Sequence, residues 1–152
     1  MIRRCVLCLL LTTLVGCMEG HKAEKDRQER LKLYDRLGKE EGITKVVDDF
    51  VAAVGANDKY PPKLKEHFKR PDVAGLKKKL VDQIGQATGG PQKYTGKTMK
   101  DAHKGLGITN DDFKALVESL VEALKKNKVG NEEQKELLGL LGTMKDDVIE
   151  VK

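Results

Sequence analysis

Phe113, Leu116, Val117, Leu120, Val121 and Leu124 recur at intervals of three and four residues, and this stripe constrains the fold more than any other feature. Side chains share one face of a helix every 3.6 residues and one face of a strand every two, so the stripe fits only a helix. Its ends agree. Thr109-Asn110-Asp111-Asp112 offers an N-cap followed by acids that suit the positive helix start, and Lys125-Lys126 before Gly130 closes it.

The same period runs through most of the chain. Leu31, Tyr34 and Leu37 make a short amphipathic turn ended by Gly38. Ile43, Val46, Val47, Phe50, Val51 and Val54 form a core-facing stripe closed by Gly55 and Asn57. Pro61-Pro62 opens a short segment from Leu64 to Phe68, and Pro71 punctuates the next start. Val73, Leu76, Leu80, Val81 and Ile84 form a third stripe, ended before Gly89-Gly90-Pro91. A short segment from Thr98 to Lys104 stops at Gly105. Asn131-Glu132-Glu133 caps a final helix with Leu137, Leu138, Leu140, Leu141, Met144, Val148 and Ile149 inward. No segment alternates with period two and no repeat appears. The expectation is an all-α domain of four long helices and several short ones.

The N-terminal residues read differently. Arg3 and Arg4 precede a short apolar run, Cys5 to Val15, and Leu14-Val15-Gly16-Cys17 has the form of a lipobox. Residues 1–16 are therefore expected to be a bacterial lipoprotein signal peptide, with Cys17 lipidated as the new N-terminus. Met18 in place of Asp favours the outer membrane or cell surface over inner-membrane retention. Cys5 and Cys8 have Cys-x-x-Cys spacing, but residue 9 is Leu and the pair lies within the leader. After processing only Cys17 remains, so no disulfide is expected. Residues 17–30 read as a polar tether, with His21 within it, leaving 31–152 as one domain with a real core. The net charge of +5 falls to +3 without the leader, 27 Lys and Arg against 24 Asp and Glu. The two signs are interspersed, so nucleic-acid binding is not indicated.

Chemistry concentrates at His103, the histidine inside an otherwise apolar helical segment. A neutral imidazole there offers a nitrogen to a metal; the plainer reading is a hydrogen-bonded core histidine. The surrounding residues point to the metal. Ala102-His103-x-Gly105-Leu106-x-Ile108, preceded by Gly89-Gly90-Pro91-x-x-Tyr94-x-Gly96-x-x-Met99, resembles the proximal haem-ligand region of the group I truncated (2-on-2) haemoglobins. Leu33-Tyr34-Asp35-Arg36-Leu37-Gly38, then Ile43-x-x-Val46-Val47-Asp48-Asp49-Phe50, is similar to that family's first helix and the start of its second. His67-Phe68 resembles the end of its short third segment. The resemblance extends from about Leu31 to Ile149.

The resemblance implies a 2-on-2 helical sandwich around non-covalent haem b, with His103 as proximal ligand. A haem needs apolar walls, a strong axial donor and polar or cationic groups at its rim. Phe50, Phe68, Met99, Phe113 and Leu116 are the expected walls, with His67 exposed or at the mouth and Tyr94 near a propionate. Two distal positions depart from the family. Where it usually has a tyrosine donating to the gas ligand, this chain has Val51; where a glutamine often assists, it has Leu80, with Leu76 one turn away. Gln83, one turn further along, is a substitute donor. Lys79 stands where some members supply a sixth iron ligand, which would require a neutral amine; a propionate contact or solvent exposure is the other reading.

The leading function implied is reversible binding of oxygen, nitric oxide or carbon monoxide by a tethered, exported, monomeric haem protein. The alternative is electron transfer or redox sensing with Lys79 on the iron. Nitric oxide dioxygenation or weak peroxidase activity is a third class, in a chain that is not a dedicated enzyme. With no flavin or nicotinamide motif, any electron donor would be a separate partner. A structural lipoprotein on a degenerate globin fold is the remaining reading.

Overall fold

The structure, a computed structural model, describes residues 33–57, 60, 62–69 and 71–151. The leader 1–16, the tether 17–30, Cys17, His21, Leu31 and Pro61 lie outside the described residues. So does the side chain of His67. Residues 33–36 are helical and lead into α1 (Lys39–Ala56). There follow α2 (Pro62–Phe68), α3 (Val73–Ala87), α4 (Met99–His103), α5 (Asn110–Lys126), α6 (Asn131–Gly142) and α7 (Lys145–Val148). Among the described residues there is no strand, only one parallel bridge between Thr109 and Val151.

The helix starts follow their local chemistry. Thr109 and Asp112 form a reciprocal cap: the Thr109 hydroxyl accepts from the Asp112 N–H at 3.1 Å, and the Asp112 carboxylate accepts from the Thr109 N–H at 3.0 Å. Such a cap contributes about 1 kcal/mol. Asp72 caps α3 by accepting from the Gly75 N–H at 3.1 Å. Gly38, at φ 82°, turns the chain into α1 through a conformation that favours glycine.

The apolar stripes then fix the packing. α1 lies against both α3 and α5, α6 packs on α5, and α7 packs on α4. The result is two helices over two, α1 and α3 above α5 and α6. Ile43, Val46, Val47 and Val51 of α1 meet Val81 and Ile84 of α3 and Leu120 and Leu124 of α5 in one buried cluster. A second cluster gathers Val54, Tyr60, Leu64, Ile108 and Val148. Phe50 and Phe68 pack against both, with ring centroids 6.0 Å apart in an edge-to-face arrangement. Arg36 fastens the N-terminal turn to α6 through Glu133 at 2.7 Å and Glu136 at 2.6 Å.

Two boundaries differ from expectation. Gly130, not Asn131, occupies the N-cap of α6, without a side-chain cap bond. The last stripe is also not one helix: it ends at Gly142, and Lys145–Val148 form a separate turn. The Thr143 hydroxyl donates back to the Leu140 carbonyl, and the N–H groups of Glu150 and Val151 donate to Ile108. The first is a local bond at the helix end; the other two are tertiary and fasten the chain after Val148 to the segment before α5. No helix of the described residues is long and apolar enough to cross a membrane.

Candidate functional site

The site is assembled around α4, which at five residues is too short to persist alone. A long loop delivers it. Gly90 approaches the Tyr34 ring so closely that an added Cβ would sit 2.5 Å from it, and the Gly90 N–H donates to the Gly85 carbonyl at 2.7 Å. The Tyr94 N–H donates to the Gln86 side chain at 2.7 Å, and the Tyr94 hydroxyl donates to the Lys97 carbonyl at 2.8 Å. Burial holds that phenol above its ordinary pKa, so it stays a neutral donor. Thr98 then caps α4, accepting from the Asp101 N–H at 3.1 Å.

His103 is half-buried at the end of this helix, with Nδ1 2.7 Å from the Met99 carbonyl oxygen. A carbonyl only accepts, so Nδ1 carries the proton and donates. In the neutral ring Nε2 is then left with its lone pair. A backbone bond of this kind fixes both tautomer and ring orientation in metal-ligating histidines.

The cavity beside His103 encloses about 820 Å³, open solvent at its mouth included. Phe50, Leu80, Met99, Phe113 and Leu116 line it with His103, so the structure brings these six expected residues together. The others fall elsewhere. Val51 is buried in the main core cluster, not in the cavity wall. Phe68 packs behind Phe50, and Leu76 is half-buried outside the wall. Tyr94 lines an adjoining cavity and spends its hydroxyl on the loop. Lys79 is exposed and does not line the cavity. Its neighbours Lys77 and Lys78 pair with Asp48 at 2.8 Å and Asp82 at 2.7 Å, a solvated helix face.

The wall also contains residues that sequence reasoning did not assign to it: Val47, Ile84, Val117, Leu120, Leu141, Met144 and Val148. Each sits on an expected apolar stripe, but periodicity does not separate a cavity wall from solid core. Gln83, named from the sequence as a substitute donor, is on the wall as well. With His103 it forms the polar part of an otherwise apolar lining, and its amide nitrogen lies 3.0 Å from the Met99 sulfur and 3.3 Å from the Met144 sulfur. Thioether sulfur is a weak acceptor.

An apolar cleft between two helix layers, entered by one oriented imidazole, is the architecture of a globin-type site. The bacterial-like globin family matches residues 32–150. A group 1 truncated haemoglobin of Mycolicibacterium paratuberculosis is 33% identical over 122 residues, covering 80% of this chain and 87% of that protein. The crystal structure of truncated haemoglobin from Tetrahymena pyriformis in its Fe(III) form superposes with a TM-score of 0.71 at 29% identity, covering 78% of this chain and 98% of that one. The 2/2 haemoglobin of Synechococcus, in the cyanomet state with covalently attached haem, gives a TM-score of 0.68 at 27% identity over 77% of this chain and 97% of that one. The chain belongs to the group 1 truncated haemoglobins.

Proposed function

We propose that this protein binds haem b non-covalently, with His103 as proximal ligand, and reversibly binds a diatomic gas. The observation that carries the reading is the 2.7 Å bond from His103 Nδ1 to Met99, which leaves Nε2 as a donor beside an apolar cavity. The residues present fit the group: apolar walls accept the porphyrin disc and the imidazole accepts the metal. Haem, when bound, would supply an iron able to take the imidazole and a gas molecule as ligands. His103 holds its own proton on Met99 and keeps Nε2 available. Phe50, Leu80, Phe113 and Leu116 exclude water.

Gln83, the polar wall residue besides His103, is the candidate donor to a gas ligand in a chain that has Val51 where the family usually has tyrosine. Its amide nitrogen is engaged by the thioether sulfurs of Met99 and Met144, and such sulfurs are weak acceptors that compete poorly with a polar ligand. One such hydrogen bond is worth about 1.4 kcal/mol, or tenfold in a rate. Gln83→Leu is therefore expected to raise the dioxygen dissociation rate about tenfold, measured by stopped flow. An unchanged rate would remove Gln83 from ligand stabilisation.

Lys79, exposed and outside the cavity wall, supports an open sixth position over lysine ligation and hence over the electron-transfer alternative. Hemin added to the purified chain is expected to give a Soret band, and Lys79→Ala is expected to leave the ferric and ferrous spectra unchanged. Folded protein that takes up no hemin overturns the proposal. A changed Lys79→Ala spectrum transfers it to the six-coordinate alternative. Export of a monomer with lipid on Cys17 belongs to the same proposal, supported by the leader pattern of residues 1–17 and checked by the mass of the mature N-terminus. Any electron donor is a separate protein.

A further inference from the structure

We infer that Glu150, in the C-terminal tail, is a positioning residue for His103, an inference that rests on the haem reading above. α4 has a cap at its start but runs at its end into a loop containing Gly105 and Gly107, at φ 78° and 67°. An added Cβ at either would meet nothing within 4 Å, so the left-handed backbone, not crowding, calls for glycine there. These turns aim the N–H groups of Gly105 and Gly107 at one carboxylate. Glu150 Oε1 accepts from Gly105 at 2.5 Å, and Oε2 accepts from Gly107 at 2.6 Å. Backbone N–H groups converging in this way make an anion-binding concavity, and bonds to a charged oxygen are about twice as strong as neutral ones.

The tail is itself anchored. The N–H groups of Glu150 and Val151 donate to the Ile108 carbonyl at 2.9 and 3.1 Å, and Ile108 is 1% exposed. The clamped loop joins the ligand residue directly, because the Leu106 N–H donates to the His103 carbonyl at 3.1 Å. Val148, just before the tail, lines the cavity that His103 enters. One carboxylate thus ties the far end of a five-residue helix to the chain segment forming the cavity floor. The tie limits how far the end of the helix that carries His103 can move, while the Met99 bond sets the ring's orientation.

Glu150→Gln in the full chain tests the inference. An amide keeps one acceptor oxygen but sets its own N–H donors against the second glycine N–H. Transfer of haem to excess apomyoglobin is expected to be about tenfold faster, at the lower end of the effect of removing a group that orients a metal ligand. The iron–histidine stretching band of the ferrous protein should shift or broaden, while helix content by circular dichroism is unchanged. A parental transfer rate together with a parental band overturns the inference. Should Glu150→Gln fail to fold, hydrogen exchange of the Gly105 and Gly107 amides in the unmodified protein decides: strong protection supports the clamp, and exchange at open-loop rates overturns it. An unmodified chain that takes up no haem overturns the haem proposal itself, an outcome separate from a haem-loaded chain indifferent to Glu150.

Discussion

His103→Ala is expected to lose haem more than about 100-fold faster than the unmodified protein, with the helical fold retained. Removing groups that merely orient a metal ligand costs roughly 10- to 100-fold in affinity, and removing the ligand itself costs more. The cavity offers no replacement in kind. Its remaining wall is apolar apart from Gln83, whose amide is a poor iron donor, and the thioethers of Met99 and Met144 already lie against that amide. Fold loss is a small risk because His103 is half-buried at the end of a helix and its side chain bonds to the Met99 carbonyl of its own turn. The measurement is haem transfer to apomyoglobin, followed at the Soret band, beside circular dichroism. Added imidazole should restore haem retention to His103→Ala by occupying the vacated space. Normal haem spectra in the variant without imidazole would remove His103 as the ligand.

Most of the helices were legible because they are written in spacing. The α5 stripe and the Thr109-Asp112 cap are local, and the structure reproduces both. The last stripe misled for a physical reason. Leu137 through Val148 keeps a helical period across Gly142, but the helix stops there, and the chain after Val148 attaches through Glu150 and Val151 to Ile108, some forty residues earlier, a contact that local spacing does not carry. The wall of the site was legible where large apolar residues flank α4, as with Met99, Phe113 and Leu116. Val51 and Leu76 share stripes with true wall residues, and only the crossing of α1 over α3 and α5 decides which of them face the cavity. Gln83 was legible as a substitute polar donor one turn beyond Leu80, and it does line the cavity; its contacts with Met99 and Met144 were not, because they join segments far apart in the chain.

Leu124→Ala is expected to cost about 3 kcal/mol of folding stability, enough to consume a large share of what a domain of this size possesses. Leu124 is 0% exposed and belongs to the cluster in which α1, α3 and α5 meet. The end of α5 is pinned close by: Asp49 of α1 accepts from Lys126 at 2.7 Å and from Asn127 at 2.8 Å. Those two hydrogen bonds, that from Lys126 first, hold the Asp49 carboxyl below its ordinary pKa. They oppose the helix shift that would let the wall collapse into the space left by leucine, so a cavity persists and its cost adds to the lost transfer free energy. Lys125→Ala, one residue later on the exposed face, is the control and should stay within about 0.5 kcal/mol. Both are best measured by urea unfolding of the haem-free chain, because bound haem adds its own binding free energy to the apparent stability. A loss under about 1 kcal/mol for Leu124→Ala would mean that α5 repacks freely against α1. The crossing that sets the cavity wall would then lack the rigidity attributed to it.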